Sequence, residues 1–258
     1  MIFETHAHYD DDRFNEDRDE LLCRLPMEGV GVVINSGASV ESTRDTIRLA
    51  GEYDHVYAAV GIHPSEIEEL DEAFFKWMQE QTKWEKTVAI GEIGLDYYWD
   101  KEEEVQAQQR YWFGRQIELA KETNLPIIVH SRDAAADTMQ VMKEHHAEEL
   151  CGVIHCFSYS KEMAMEFIKM GYYIGVGGVV TFKNAKKLVE VVEAVPLERI
   201  LLETDCPYMA PEPYRGKRNN SLYLTYVRDK IAEIKGISPE EVERVTEENA
   251  RRLFSKVK

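Results

Sequence analysis

Histidines and acids recur in this chain just after short apolar runs, and their spacing suits metal ligation. His6 and His8 stand two apart in IFETHAH. On an extended strand such residues face the same side, and two neutral imidazoles on one side can hold one metal ion. Glu92 lies in AIGEIGLD beside Gly91 and Gly94, His130 follows the apolar PIIV, His155 follows GVI, and Asp205 ends ILLETD. A carboxylate has two oxygens and can bridge two cations. Left unpaired, each of these groups would cost on the order of several kcal/mol to bury. Paired surface histidines or a buried salt bridge would account for any one of them alone. His63 in GIHP ends another apolar run and reads as a substrate contact or hydrogen-bond donor.

The elements that must position these side chains are legible as alternation. Eight short apolar or β-branched runs, at 2–8, 30–37, 56–63, 87–94, 126–131, 152–158, 172–178 and 200–205, are separated by charged segments of helical period. The periodicity predicts helices over 41–53, 71–82, 102–123, 161–170, 184–194, 222–235 and 239–254, the last with Ser238 as N-cap and Pro239 at its first position. Strand–helix repetition implies a parallel sheet with right-handed crossovers. Eight such strands in 258 residues fit a single (β/α)8 TIM-like barrel, with 1–258 as one domain. A doubly wound sheet is the rival, and no GxGxxG follows the first strand to support it. In a barrel the carboxyl ends of the strands converge on one mouth, and six of the eight runs carry histidine or acid at that end.

Other polar residues fall near the same mouth. Glu4 shares strand parity with His6, and Glu203 with Asp205, so both would either orient ligands or form salt bridges deeper in the barrel. Cys156 and Cys206 adjoin candidate ligands but point to the opposite face and are expected to pack. Tyr97, Tyr98 and Trp99 follow GLD as an aromatic loop, suited either to stacking on a ring or to packing on its own helix. Basic residues are few and grouped: Arg132, Lys183, and then Arg215, Lys217 and Arg218 in PYRGKRN. The last three follow Asp205 and read as phosphate contacts.

Composition narrows the class. There are 31 basic and 48 acidic residues, a net charge of −17, which argues against a broad basic surface that coats nucleic acid or anionic lipid. Hydrophobic residues make up 44%, enough for a sizeable core. The four cysteines form no CxxC pair, which suggests a reducing compartment. MIFETHAHYDDD has neither the basic nor the apolar region of a signal peptide, and no run approaches a membrane span. A cytoplasmic protein without membrane partners is expected.

Together THAHYD, VGIHPSE, AIGEIGLDYYW, LPIIVHSRDA, VIHCFSYS, YYIGVGGVVTFK, LLETDCPYMAP, PYRGKRN and ENARRLF resemble the TatD family of metal-dependent hydrolases and deoxyribonucleases, within the wider amidohydrolase-like barrels. The stretches run in family order from residue 5 to residue 254. The resemblance implies a TIM-like barrel, two divalent ions and hydrolysis of phosphodiester bonds in DNA, exonucleolytic cleavage of single strands being one form. It gives ligand roles to His6, His8, Glu92, His130, His155 and Asp205. On this reading His6 and His8 serve one ion and His130 and His155 the other. Glu92 bridges them, no lysine standing at the matching point. Asp205 joins the first ion and accepts a proton, so Glu92 and Asp205 are the catalytic carboxylates. His63, Arg132, Arg215, Lys217 and Arg218 would bind substrate. Four imidazoles favour Zn or Mn, whereas the family is usually described as Mg-dependent. The chain departs from the family pattern at Glu4, where Asp is usual, and at Asn219-Asn220-Ser221, where Asn-x-Pro is common. The second change touches the substrate loop. Amide, ester or lactone hydrolysis is the alternative activity, and a non-catalytic binding barrel a further one. A monomer is expected.

Overall fold

The computed structural model describes residues 1–258. Eight strands form one parallel sheet in chain order: β1 Ile2–Ala7, β2 Val30–Ser36, β3 Val56–Val60, β4 Thr87–Asp96, β5 Ile127–Arg132, β6 Gly152–Ile154, β7 Tyr173–Val176 and β8 Ile200–Leu202. The last strand returns to the first. Ala7 and Cys206 form a parallel bridge, the Asp205 amide donates to the His6 carbonyl at 3.0 Å, and the His8 amide donates to the Cys206 carbonyl at 2.8 Å. A doubly wound sheet would reverse its strand order midway; this one does not, and the expected (β/α)8 barrel is what forms.

The helices are α1 Arg18–Arg24, α2 Val40–Glu52, α3 Glu72–Gln81, α4 Glu103–Thr123, α5 Ala135–Glu144, α6 Lys161–Lys169, α7 Lys186–Ala194, α8 Leu224–Lys235 and α9 Pro239–Leu253. Seven of them lie within two residues of the spans expected from periodicity. The other two, α1 and α5, stand where the sequence reading marks no helix. The first is only seven residues long, too few turns of an apolar stripe to stand out. Ser238 caps α9 as expected, its hydroxyl accepting from the Glu241 amide at 3.2 Å.

Strand alternation sorts the core into two sets. Ile127, Val129, Ile154, Ile200 and Leu202 belong to a 53-residue cluster between barrel and helices. Their neighbours Ile128, Val153 and Leu201 belong to a 15-residue cluster inside the barrel, with Leu253, Phe254 and Val257 from the end of the chain. Phe254 stacks on Phe3 at 6.0 Å, and the Lys256 ammonium donates to the carbonyls of Trp84 and Thr87 at 2.8 and 2.6 Å. The C-terminal segment thus plugs the amino end of the barrel. Two residues beyond the inner set stand His130, His155 and Glu203, which therefore face inward at the open, carboxyl end. No helix is long and apolar enough to cross a membrane.

Candidate metal centre

Close approach of β4 to β5 brings the central carboxylate to its histidines. Gly94 has φ +146°, and a Cβ there would lie 1.9 Å from the His130 carbonyl oxygen. Only glycine permits that backbone conformation and that contact. Glu92, two residues earlier, is buried and lies at the middle of the mouth.

Two sets of nitrogen atoms flank Glu92. On one side, His6 Nε2 and His8 Nε2 are 3.0 Å apart, and they lie 3.2 and 3.3 Å from Glu92 Oε2 and 3.6 and 3.5 Å from Asp205 Oδ1. On the other side, His155 Nε2 and His130 Nδ1 lie 2.6 and 2.9 Å from Glu92 Oε1 and 3.2 Å from each other. The His6 and His155 rings stack between the two sets, with centroids 4.1 Å apart.

The far nitrogens decide what the near ones can do. His8 Nδ1 is 2.9 Å from the Ser36 carbonyl, which can only accept, so the hydrogen of the neutral ring sits on Nδ1. Likewise His130 Nε2 is 3.1 Å from Asp96 Oδ2 and carries its hydrogen there. Both rings therefore turn a lone pair toward Glu92, where carboxylate oxygens offer more lone pairs. Acceptors meeting acceptors on both sides of one carboxylate require positive charge between them. Imidazole nitrogens with carboxylate oxygens are a donor set that suits Zn or Mn. The residues present thus fit a divalent ion at each oxygen of Glu92. Three overlapping triads, His6–His8–Asp205, His6–Glu92–His155 and His63–Glu92–His130, have their donor atoms within 4.8 Å of one another.

The carboxylates and burial pull the imidazoles of the site in opposite directions. Burial lowers the imidazole of His8, but hydrogen bonds to Asp205 and Glu92 outweigh it and raise His8 well above its usual value. Burial likewise opposes protonation of His155, and the Glu92 carboxylate overrides it, raising His155 to about 9. His6, desolvated and next to His155, falls to about 4. Asp205 is also held below the usual carboxylate range: burial opposes this, and the His8 hydrogen bond prevails.

His63 lies nearer the donor set than a peripheral contact would. Its Nδ1 accepts from the Ser65 amide at 3.1 Å, its Nε2 is 3.6 Å from Glu92 Oε1, and its ring is 4.3 Å from that of His130. Arg132 leaves the end of β5 on the same side as His130, with its guanidinium over the Tyr98 ring. The remaining basic residues divide. Arg215 and Lys217 are exposed, Arg215 lying 4.3 Å over the Phe182 ring. Arg218 is occupied: it pairs with Asp17 and donates to the Arg13 carbonyl at 2.7 Å. Their loop is anchored by Asn219, whose amide donates to the carbonyls of Thr204 and Tyr208 at 3.0 and 2.7 Å.

Glu4 and Glu203 form no salt bridge. Glu4 accepts from the amide of Thr204 at 2.8 Å and from its hydroxyl at 2.7 Å, joining β1 to the end of β8. Glu203 accepts from the Cys156 amide, while its other oxygen is buried without a partner, as is His155 Nδ1. Burial raises Glu4 to about 7 and Glu203 to about 8. Cys206 is buried in the outer core, as expected of a packing residue. Asp96 and Ser36, which hold the far nitrogens of His130 and His8, are absent from the sequence reading. Asp96 had a signal, an acid two residues after Gly94; Ser36 had none.

Comparison with known proteins agrees with this geometry. Residues 3–255 match the family described as TatD related DNase. The uncharacterized metal-dependent hydrolase YabD of Bacillus subtilis (strain 168) is 45% identical over 254 residues, covering 98% of this chain and 99% of its own. The crystal structure of YJJV, a TatD homolog from Escherichia coli K12, superposes with a TM-score of 0.92 at 32% identity, covering 98% of each chain. A TatD-family hydrolase from Entamoeba histolytica gives 0.88 at 25%, covering 98% of this chain and 97% of its own. Sequence match and fold extend over nearly every residue, and the chain belongs to the TatD family of metal-dependent hydrolases.

Proposed function

We propose that the chain hydrolyses phosphodiester bonds in DNA with two divalent metal ions. The observation that carries this reading is the placement of Glu92, with one oxygen toward His6 and His8 and the other toward His130 and His155. His6, His8, Asp205 and Glu92 would hold the first ion, and Glu92, His130 and His155 the second. When bound, the ions supply an activated water nucleophile and neutralise charge on the phosphoryl oxygens. Asp205 accepts the proton of the attacking water. Its carboxylate is the more open of the two, 17% exposed against 4% for Glu92, and it stays ionised. His63 Nε2 faces the same space and donates to a phosphoryl oxygen. Arg132, Arg215 and Lys217 draw the strand to a protein that is otherwise strongly acidic. Residues 1–258 work as one unit, since the candidate ligands come from β1, β4 and β5 and from just past β1, β6 and β8 of a single barrel. The four free cysteines agree with action in the cytoplasm.

The test is a metal screen. The chain is chelated, reloaded with Zn, Mn or Mg, and incubated with end-labelled single- and double-stranded DNA, beside a panel of lactones and cyclic amides. Shortened DNA that appears only with metal is the expected result. Intact DNA with an opened lactone or amide would move the activity to C–N or ester bonds. DNA binding without turnover in any metal would make the barrel a binding module.

A further inference from the structure

Beside the metal centre, on the loop after β4, stand two exposed aromatic side chains. Tyr98 is 44% exposed and Trp99 66%, with their rings edge to face at 4.7 Å. Two neighbouring aromatics exposed on one loop leave ring surface open to a ligand. Arg132 rests against both, its guanidinium carbon 4.0 Å from the Tyr98 centroid and 5.5 Å from that of Trp99. In a chain with 48 acidic residues, this guanidinium forms no ion pair with a carboxylate. Its N–H donors are held in place by stacking and are free to bind an anion.

The group is rigidly joined to the metal centre. Asp96 turns one oxygen to His130 Nε2 and the other to the amides of Tyr98 and Trp99, at 2.9 and 3.1 Å. Asp96 also pairs with Arg132 in the sheet, and the Tyr97 amide donates to the Arg132 carbonyl at 2.9 Å. One carboxylate thus sets both a candidate ligand and the turn that presents the rings.

We propose that Trp99, Tyr98 and Arg132 form a subsite for one unpaired nucleotide next to the scissile phosphate, with its base stacked on the exposed aromatic surface and its phosphate on the guanidinium. The subsite rests on the reading of the chain as a DNA hydrolase and adds what selects the substrate. A base can stack there only after leaving its duplex neighbour, so single strands and frayed ends are preferred.

Binding is measured by titrating the metal-loaded chain with a short thymidine strand carrying hydrolysis-resistant linkages, and with a strand of equal length that lacks bases. W99A should bind the first about 10-fold more weakly, the low end of one base–aromatic stack. It should bind the base-free strand as wild type does, and W99F should recover most of the loss. R132Q should weaken both strands and reduce the salt slope by about 0.7. The subsite is overturned if W99A binds both strands as wild type does, if it loses equally on both, or if wild type binds neither. The two readings fail separately. Wild type that cleaves no DNA in any metal, while W99A loses affinity for the base-bearing strand alone, removes the hydrolase reading and leaves the subsite. Wild-type cleavage with an unchanged W99A KM on single strands removes the subsite and leaves the hydrolase.

Discussion

Asp96 holds His130 from behind, with Oδ2 3.1 Å from the ring nitrogen that faces away from Glu92. Burial alone would raise this carboxyl, but the His130 hydrogen bond keeps it below its usual range, so the contact joins a carboxylate to an imidazole N–H. That contact fixes the tautomer, and with it the lone pair that His130 turns toward Glu92.

Asp96→Asn should therefore weaken metal binding more than it weakens the fold. The amide oxygen can still cap the turn at Tyr98 and Trp99, while the negative charge behind His130 is lost. A drop of about 10- to 100-fold in metal affinity is expected, measured by competition with a chromogenic chelator. Affinity equal to wild type would show that the tautomer is set elsewhere.

Asp205→Asn should lower turnover by about 10²- to 10⁴-fold, the range of one general acid–base group, with KM changed little. Asp205 has φ +57°, a conformation that asparagine also accepts, so the backbone bridge to β1 should survive. Single-turnover hydrolysis is compared at matched metal occupancy. Near wild-type turnover at full occupancy would remove Asp205 from the proton-accepting role.

The ligand histidines were legible because strand alternation and the barrel mouth are both written locally. His6 and His8 announce their common face by spacing, and His130 and His155 follow uninterrupted apolar runs. Asp96 was not, because the sequence reading ends that strand at Gly94 whereas β4 continues to Asp96, and only the extension carries the carboxylate to His130. Arg218 looked like its neighbours Arg215 and Lys217. Its partner Asp17 is 201 residues away, brought close by closure of β8 onto β1, a contact that no local pattern records. Ser36 holds His8 through its backbone carbonyl, which no side-chain motif can mark, and its hydroxyl lies 3.2 Å from His6 Nδ1.

Glu203 should make the metal-free chain less stable as pH rises. Burial lifts it from an ordinary 4.5 to about 8 in the folded state. Between those values the folded chain holds a proton that the unfolded chain has released, so stability declines by up to about 1.4 kcal/mol per pH unit and then levels off. Glu203→Gln keeps an oxygen for the Cys156 amide and cannot ionise. In chelator, its urea midpoint relative to wild type should therefore move upward between pH 5 and pH 8. Glu4, also raised by burial, contributes its own slope to both proteins and drops out of the difference. Parallel curves would mean that Glu203 ionises in the fold without penalty.

The basic loop after β8 should separate into a part that meets substrate and a part that holds the loop. Arg215 and Lys217 are exposed and lie beyond Asp205, where a strand leaving the metal centre would run. Each phosphate contact on single-stranded DNA adds about 0.7 to the slope of log affinity against log salt. Replacing both by Ala should lower that slope by about 1.4 and raise KM, without changing the melting temperature. Arg218 should behave in the opposite way. It pairs with Asp17, donates to the Arg13 carbonyl and lies 4.7 Å over the Phe14 ring, tying the loop to the segment that precedes α1. Arg218→Ala should therefore lower the melting temperature and leave the salt slope nearly unchanged. The ion pair is partly exposed and contributes at most about 1 kcal/mol, so any larger loss reports the backbone contact and the stacking. Salt-dependent binding and thermal unfolding of the two variants, measured side by side, decide the assignment. A flattened slope in Arg218→Ala, with unfolding unchanged, would return Arg218 to the phosphate track and show that the Asp17 pair opens when DNA binds.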